Sequence, residues 1–347
     1  MIKKIIVSAI VLFLTVALIS ASLVLRELNK PINFSTETQH YTVAKGSSLK
    51  RVLNDFSNQG WVAYPRVHEL WLRFQGKTNI QSGEYELSSQ MTVDEIIEQF
   101  VRGEKILRSV RFIEGKTVTD YLVVIRANSY LTQTLDGLSL EQIALQVDPE
   151  LENLEGWLFP DTYLFESGTR DIDILRLAYS RMQTQLDQLW AERSEKTAVS
   201  TPYEALILAS IVEKETGAAF ERPEIAGVFT RRLERRMRLQ TDPTVIYGLG
   251  ADFDGNITRR HLRTDTPYNT YTRGGLPPTP IANPGREAIW AALNPADGES
   301  IFFVAKGDGT HYFSSTLKEH NAAVRQYQRF GRREDYQSAP AQEATAE

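Results

Sequence analysis

Two glutamates spaced two apart, Glu213 and Glu215, close a helix-forming segment and are the residues best placed to do chemistry. Thr201-Pro202-Tyr203-Glu204 reads as a capping box with proline at the first helical position. Apolar residues, broken by Ser210, follow from Ala205 to Val212, and Gly217 reads as the helix stop. Projected as a helix, Glu215 falls between Leu208 and Ile211 in the middle of the apolar arc, whereas Glu213 falls beside Ser210 and Ala209. A carboxyl on the buried face loses solvation, which favours its protonated form and raises its pKa. An acid that keeps its proton near neutral pH can serve as a general acid. The local pattern leaves a second use open, in which Glu215 snorkels to solvent from the last turn. The helix dipole does not favour an acid there.

The segments downstream supply polar groups. Arg222-Pro223-Glu224 opens another helix, with Ile225, Val228, Phe229, Leu233 and Met237 on one face. Its arginines (Arg231, Arg232, Arg235, Arg236 and Arg238) read as a solvated face, with contact to an anionic polymer as the alternative. Two loop-rich stretches follow, Leu239 to Gly248 and Thr266 to Pro278. Proline and glycine hold such loops in fixed shapes, and Gln240, Thr241, Asp242, Asn269 and Tyr271 offer the donors and acceptors a saccharide needs. A well-packed polar loop fits the same composition. Upstream, Glu155 to Tyr163 gathers Trp157, Phe159 and Tyr163 with Gly156 and Pro160 around Asp161, a sugar-facing surface or a packed turn.

These residues need a scaffold, and the rest of the chain is organised to provide one. After Lys3 and Lys4, an uncharged, mostly apolar run from Ile5 to Leu25 ends at Arg26 and Glu27. As a helix rising about 1.5 Å per residue it spans roughly the 30 Å of a bilayer core. The lysines place residues 1–4 in the cytoplasm by the positive-inside rule, with the remainder outside. A cleaved signal peptide is the rival, but the run is long for one and its small-residue cleavage pattern is poor. Residues 26–40, polar and carrying Pro31, read as a stalk.

Folded character begins at Tyr41. A β-prone Tyr41-Thr42-Val43 precedes a Gly46-Ser47-Ser48 turn and an amphipathic helix through Leu49, Val52, Leu53 and Phe56. Thr92-Val93-Asp94-Glu95 is a capping box for a helix with Ile96, Ile97, Phe100 and Val101 inward. The strand–turn–helix rhythm of 42–53 returns weakly at 111–122. The stretch 41–56 resembles a LysM module, a small α+β unit that binds N-acetylated glycans. The net charge of −5 argues against a nucleic-acid partner. The absence of cysteine removes thiol chemistry and cysteine metal sites. Five scattered histidines (His40, His68, His261, His311 and His320) show no metal-ligand spacing, and His311 reads as structural. No metal or cofactor is called for.

Three blocks carry a family resemblance. Ala209 to Thr216, Met237 to Gly248 and Pro267 to Tyr271 are similar to the signature blocks of the YceG-like, endolytic murein transglycosylase family. The apolar N-terminus, the LysM-like unit, the 155–163 block and a hairpin through Phe302–Ala305 and His311–Phe313 follow in the order that the family implies. The resemblance implies a lyase that cuts the β-1,4 bond between N-acetylmuramic acid and N-acetylglucosamine in nascent peptidoglycan strands. It closes a 1,6-anhydro ring without a bound cofactor. Glu215 matches the family's acid. Gln240, Thr241, Asp242, Asn269, Tyr271, Glu213 and Asp161 are then candidate substrate-binding residues. A periplasmic catalytic domain anchored in the inner membrane, working beside peptidoglycan synthases, is the expected setting.

The expected fold is α+β: tail 1–4, span 5–25, stalk 26–40, LysM-like domain 41–125, catalytic domain 126–335 and a disordered tail 336–347. Two other functions compete. A lysozyme-like hydrolase would use Glu213 or Asp242 as a second carboxylate. A non-enzymatic wall-binding protein would bind glycan and cut nothing.

Overall fold

A computed structural model describes residues 2–32, 34, 36–330 and 337 and divides into two compact units. The first comprises Met1–Arg108 with Leu164–Gly168, the second Ser109–Tyr163 with Thr169–Glu347.

In the first unit, α1 (Ile2–Leu28) is exposed along its apolar length and is the one helix, among the described residues, long and apolar enough to cross a membrane. Strand β1 (Thr38–Val43), helices α2 (Leu49–Asn58) and α3 (Pro65–Phe74), strand β2 (Gly83–Ser88) and helix α4 (Val93–Arg102) follow. β1 and β2 pair antiparallel with Tyr41 opposite Tyr85. Alternation sends Tyr41, Val43, Tyr85 and Leu87 inward, where α2 and α4 meet them with Leu53, Phe56, Ile96, Ile97 and Phe100. Ser48 caps α2, and Thr92 with Glu95 forms the predicted capping box of α4.

The stalk reading of residues 26–40 does not hold. Leu28 and Ile32 are buried, the Ile32 amide donates to the Met91 carbonyl at 2.8 Å, and β1 already begins at Thr38. The polar composition hides two apolar anchors, too few for a periodicity to register.

In the second unit, β3 (Arg108–Arg111) pairs with β4 (Thr162–Phe165). Between them lie α5 (Val118–Arg126) and α6 (Leu140–Val147). Helix α5 therefore belongs to this unit, and the predicted domain boundary at 125 moves back to about Arg108. The echo of 42–53 in 111–122 is local: Gly46 and Gly115 both adopt positive φ ahead of a side-chain-capped helix.

The remainder is mostly helical: α7 (Asp171–Ala191), α8 (Pro202–Glu215), α9 (Arg222–Glu234), α10 (Asp242–Leu249), α11 (Arg259–Arg263) and α12 (Arg286–Leu293). Antiparallel β5 (Phe302–Ala305) and β6 (His311–Ser314) precede α13 (Leu317–Val324). Every residue of α8 from Ala205 to Val212 is buried, because α7, α9, α10 and α12 surround it. A helix apolar on all sides is a core helix. The 155–163 block is a packed turn: Leu158, Phe159 and Tyr163 are buried, and the Pro280 ring occupies the space where Gly156 would carry a Cβ. Of the predicted tail, only Gln337 is among the described residues, and its amide donates to the Gly307 carbonyl.

Candidate active site

Helix α8 aims Glu215 at a cleft. The Thr201–Glu204 capping box fixes its start. Its end differs from expectation: Thr216, not Gly217, stops the helix by turning extended (φ −142°), and its hydroxyl accepts the Ala218 amide. Glu215 is thus the last helical residue, packed by the core on one side and open to a cleft of about 640 Å³ on the other. Gln240, Thr241, Asp242, Tyr271 and the buried Arg232 share that cleft, with Phe302, Phe303, His311 and His320 from the C-terminal elements.

Burial pushes the Glu215 carboxyl up to about 7. The Asp242 charge raises it further, while a hydrogen bond from the Thr241 hydroxyl and the Arg232 charge pull it back. The group is therefore poised between acid and base near neutrality. Thr241→Val would remove the donor that favours the carboxylate. The alkaline limb of the pH–activity profile, where the acid loses its proton, should move to higher pH. An unmoved or lowered limb would exclude this role for Thr241.

The loop before α10 is built to hold Thr241 in place. The Gln240 amide donates to the Thr270 carbonyl at 3.2 Å, the Thr241 amide to the Thr270 hydroxyl at 3.1 Å, and the Thr244 hydroxyl to the Thr241 carbonyl at 2.8 Å. The stretch expected as loop from Asp242 onward is helical, with Pro243 in its first turn. Gln240 has φ +50°, a left-handed conformation that costs a non-glycine residue about 1 kcal/mol. Strain at an exposed cleft residue points to use of its side chain. Gln240→Gly should accordingly keep or raise the melting temperature while lowering cleavage; a fall in stability with unchanged cleavage would count against this.

The predicted site residues divide. Asp242 lies in the cleft, and the Tyr271 hydroxyl donates to its Oδ1 at 2.6 Å. Asn269, Glu213 and Asp161 are not among the cleft-lining residues. Asn269 is fully buried; its Nδ2 donates to the carbonyls of His261, Leu262 and Thr264, and its Oδ1 accepts the Tyr271 amide. It is a staple that shapes the Tyr271 loop. Glu213 accepts from Arg222 Nη2 at 3.0 Å and from the Gly285 amide at 2.9 Å, tying α8 to α9 and to the start of α12. Asp161 pairs with Arg181 at 2.7 Å.

Arg232 is a cleft residue that the sequence reading gave to solvent. It is 7% exposed; Nε donates to the Ile301 carbonyl and Nη1 to the Leu239 carbonyl. A signal was present: Arg232 occupies the i+7 position of the Ile225, Val228, Phe229 stripe. His311, read from the sequence as structural, has its amide and Nδ1 both 2.8 Å from the Glu221 carboxylate, and its ring borders the cleft.

The model of the YceG-like family matches residues 41–326, which takes in both units. The chain belongs to the YceG-like family. One relative, an endolytic murein transglycosylase of Bacillus subtilis (strain 168), is 30% identical over 87% of this chain and 88% of its own length. A protein of the same name from Streptococcus pneumoniae (serotype 2, strain D39) is 25% identical over 82% of this chain, which spans only 57% of that longer relative. The crystal structure of a yceG-like protein from Listeria monocytogenes covers 83% of this chain and 99% of its own, with 29% identity and a TM-score of 0.52. In this YceG-like chain the Glu215 cleft lies wholly within the second unit.

Proposed function

We propose that Glu215 is the single acid and base of this enzyme. The chain is an endolytic murein transglycosylase, a lyase acting on peptidoglycan, as its family and relatives indicate. The observation that carries the proposal is a carboxyl held up to about 7 at the end of a core helix, in a cleft rich in hydrogen-bonding groups.

Protonated Glu215 donates to the glycosidic oxygen, and the C1–O bond between N-acetylmuramic acid and N-acetylglucosamine breaks. The resulting carboxylate takes the proton from the muramoyl C6 hydroxyl as that oxygen bonds to C1. The proton count closes on one residue, with no water consumed, so the second carboxylate of an ordinary glycosidase is not required. Gln240, Asp242 and Tyr271 are assigned to holding the sugar and its N-acetyl group, and Thr241 to holding Glu215. Arg232 supplies a fixed positive charge that steadies the carboxylate between the two proton transfers.

The first unit is assigned as a LysM-like glycan-binding module, supported by its compact two-stranded α+β build. An N-terminus in the cytoplasm and an extracytoplasmic, inner-membrane setting are supported by Lys3 and Lys4 ahead of α1. Peptidoglycan synthases, which make the strand, are the neighbours such a setting suggests.

One observation favours a second reading, hydrolysis: Asp242 is another carboxylate lining the cleft. Mass spectrometry of the products made by full-length protein from glycan strands separates the two. Anhydro-muramic ends are expected. Reducing muramic ends would replace the lyase with a hydrolase.

A further inference from the structure

Helix α3 carries a face that the core of the first unit does not use. It buries His68, Glu69 and Leu72. On another side, Val67, Leu70, Trp71 and Phe74 follow the i, i+3, i+4, i+7 spacing of one stripe. Leu70 is 58% exposed and Phe74 82%, and the Trp71 ring stacks on Phe74 with centroids 6.0 Å apart. Tyr64, just before the helix, is also exposed. A contiguous apolar stripe left in water is unfavourable and marks a surface that something covers.

The position of the stripe within the unit identifies the cover. Leu23, Val24 and Leu25 at the end of the apolar run of α1 line one groove with Tyr64 and Val67. Arg26 and Glu27, where the apolar run gives way to charge, border the same groove. The stripe on α3 therefore begins where the lipid-facing surface of α1 stops. Tryptophan and tyrosine favour that boundary, with an apolar body in the acyl region and a polar edge among headgroups. Cations frame it: Arg26 and Lys30 border the groove, and Arg66 and Arg73 flank the stripe. The last two bond to the buried Glu69 at 2.9 and 3.1 Å yet keep side chains 70% and 56% exposed, suited to anionic headgroups.

We propose that α3 is an interfacial helix, whose Leu70, Trp71 and Phe74 enter the headgroup–acyl boundary of the membrane that α1 spans. The first unit then rests on the lipid surface through two contacts, one crossing the bilayer and one lying in its face. The proposal depends on α1 being a membrane span.

The absence of cysteine allows a single Phe74→Cys to carry one environment-sensitive fluorophore without background. Phe74 is exposed, so the change leaves the core intact. Full-length labelled protein is incorporated into vesicles of phosphatidylethanolamine and phosphatidylglycerol and recovered by flotation. The expected result is blue-shifted emission, quenched by nitroxides on the lipid chains and only weakly by aqueous iodide, with Leu70→Cys behaving alike. Strong iodide quenching without lipid quenching would overturn the proposal. Protection from both quenchers would overturn it too, and would assign the face to a second copy of the chain. Protein that fails to float with the vesicles would remove the span itself, and the proposal with it.

Discussion

Replacing Glu215 with Gln is expected to abolish strand cleavage and, above pH 7, to make the protein more stable than the wild type. The loss of activity follows from the proposed use of this one residue as both acid and base. General acid–base groups contribute about 10²–10⁴-fold, and here no second carboxylate takes over, so a fall on the order of 10³-fold or more is expected. The gain in stability follows from linkage. The unfolded chain releases this proton near 4.5, whereas the folded chain holds it to about 7. Across that window the folded state binds more protons than the unfolded state, so wild-type stability falls as pH rises and levels off above 7. The fall amounts to about 2–3 kcal/mol once solvent reaching the carboxyl through the cleft is allowed for. Gln does not titrate and escapes it. Denaturant unfolding of both proteins at pH 4.5 and pH 8 reads the difference. A variant advantage that does not grow between the two would mean that Glu215 ionises like a surface acid.

Glu213, two residues away, should respond in the opposite sense. Glu213→Ala removes a carboxylate whose side chain is 6% exposed and whose oxygens serve the Arg222 guanidinium and the Gly285 amide. Breaking a buried pair leaves its partners short of compensation and costs about 3–5 kcal/mol. Arg222 keeps Glu287, which is largely exposed, so the lower end, about 3 kcal/mol, is expected. In a unit of this size that corresponds to a drop of roughly 6–12 °C in melting temperature. Cleavage measured well below the transition should be retained. A variant that melts like the wild type but does not cleave would move Glu213 into the chemistry and restore it as a second carboxylate.

The contrast shows what could be read from residue order. The helix that carries Glu215 was legible because α8 is long, capped and apolar, but the projection through Leu208 and Ile211 did not separate the two acids, since α8 is buried on all sides and the Glu213 side chain is only 6% exposed. Capping boxes at Thr92 and Thr201 were legible for the same reason: they are local, and the structure forms both. Polar residues in loops were harder to read. Asn269 and Tyr271 are two apart in one loop, yet one bonds to its own backbone and the other faces the cleft. Composition cannot tell a donor aimed at a sugar from one aimed at a carbonyl, because the loop path decides. Arg232 was missed through its charge; its position in the apolar stripe said more than its residue type. Leu28 and Ile32 were missed because two anchors in a polar stretch make no pattern.

Those two anchors have a mechanical consequence. A folded body that buries Leu28, the last residue of α1, and Ile32 four residues later holds that helix without a leash over those residues. A flexible tether sets reach by chain statistics and lets the attached body wander through a hemisphere of solvent. Without one, and with α1 spanning a membrane as proposed, the first unit diffuses with its helix, free in two dimensions and fixed in the third. Encounters with a strand then scale with density per area of membrane rather than with concentration per volume, and lengthening the joint would dilute the enzyme without altering a single contact in its cleft.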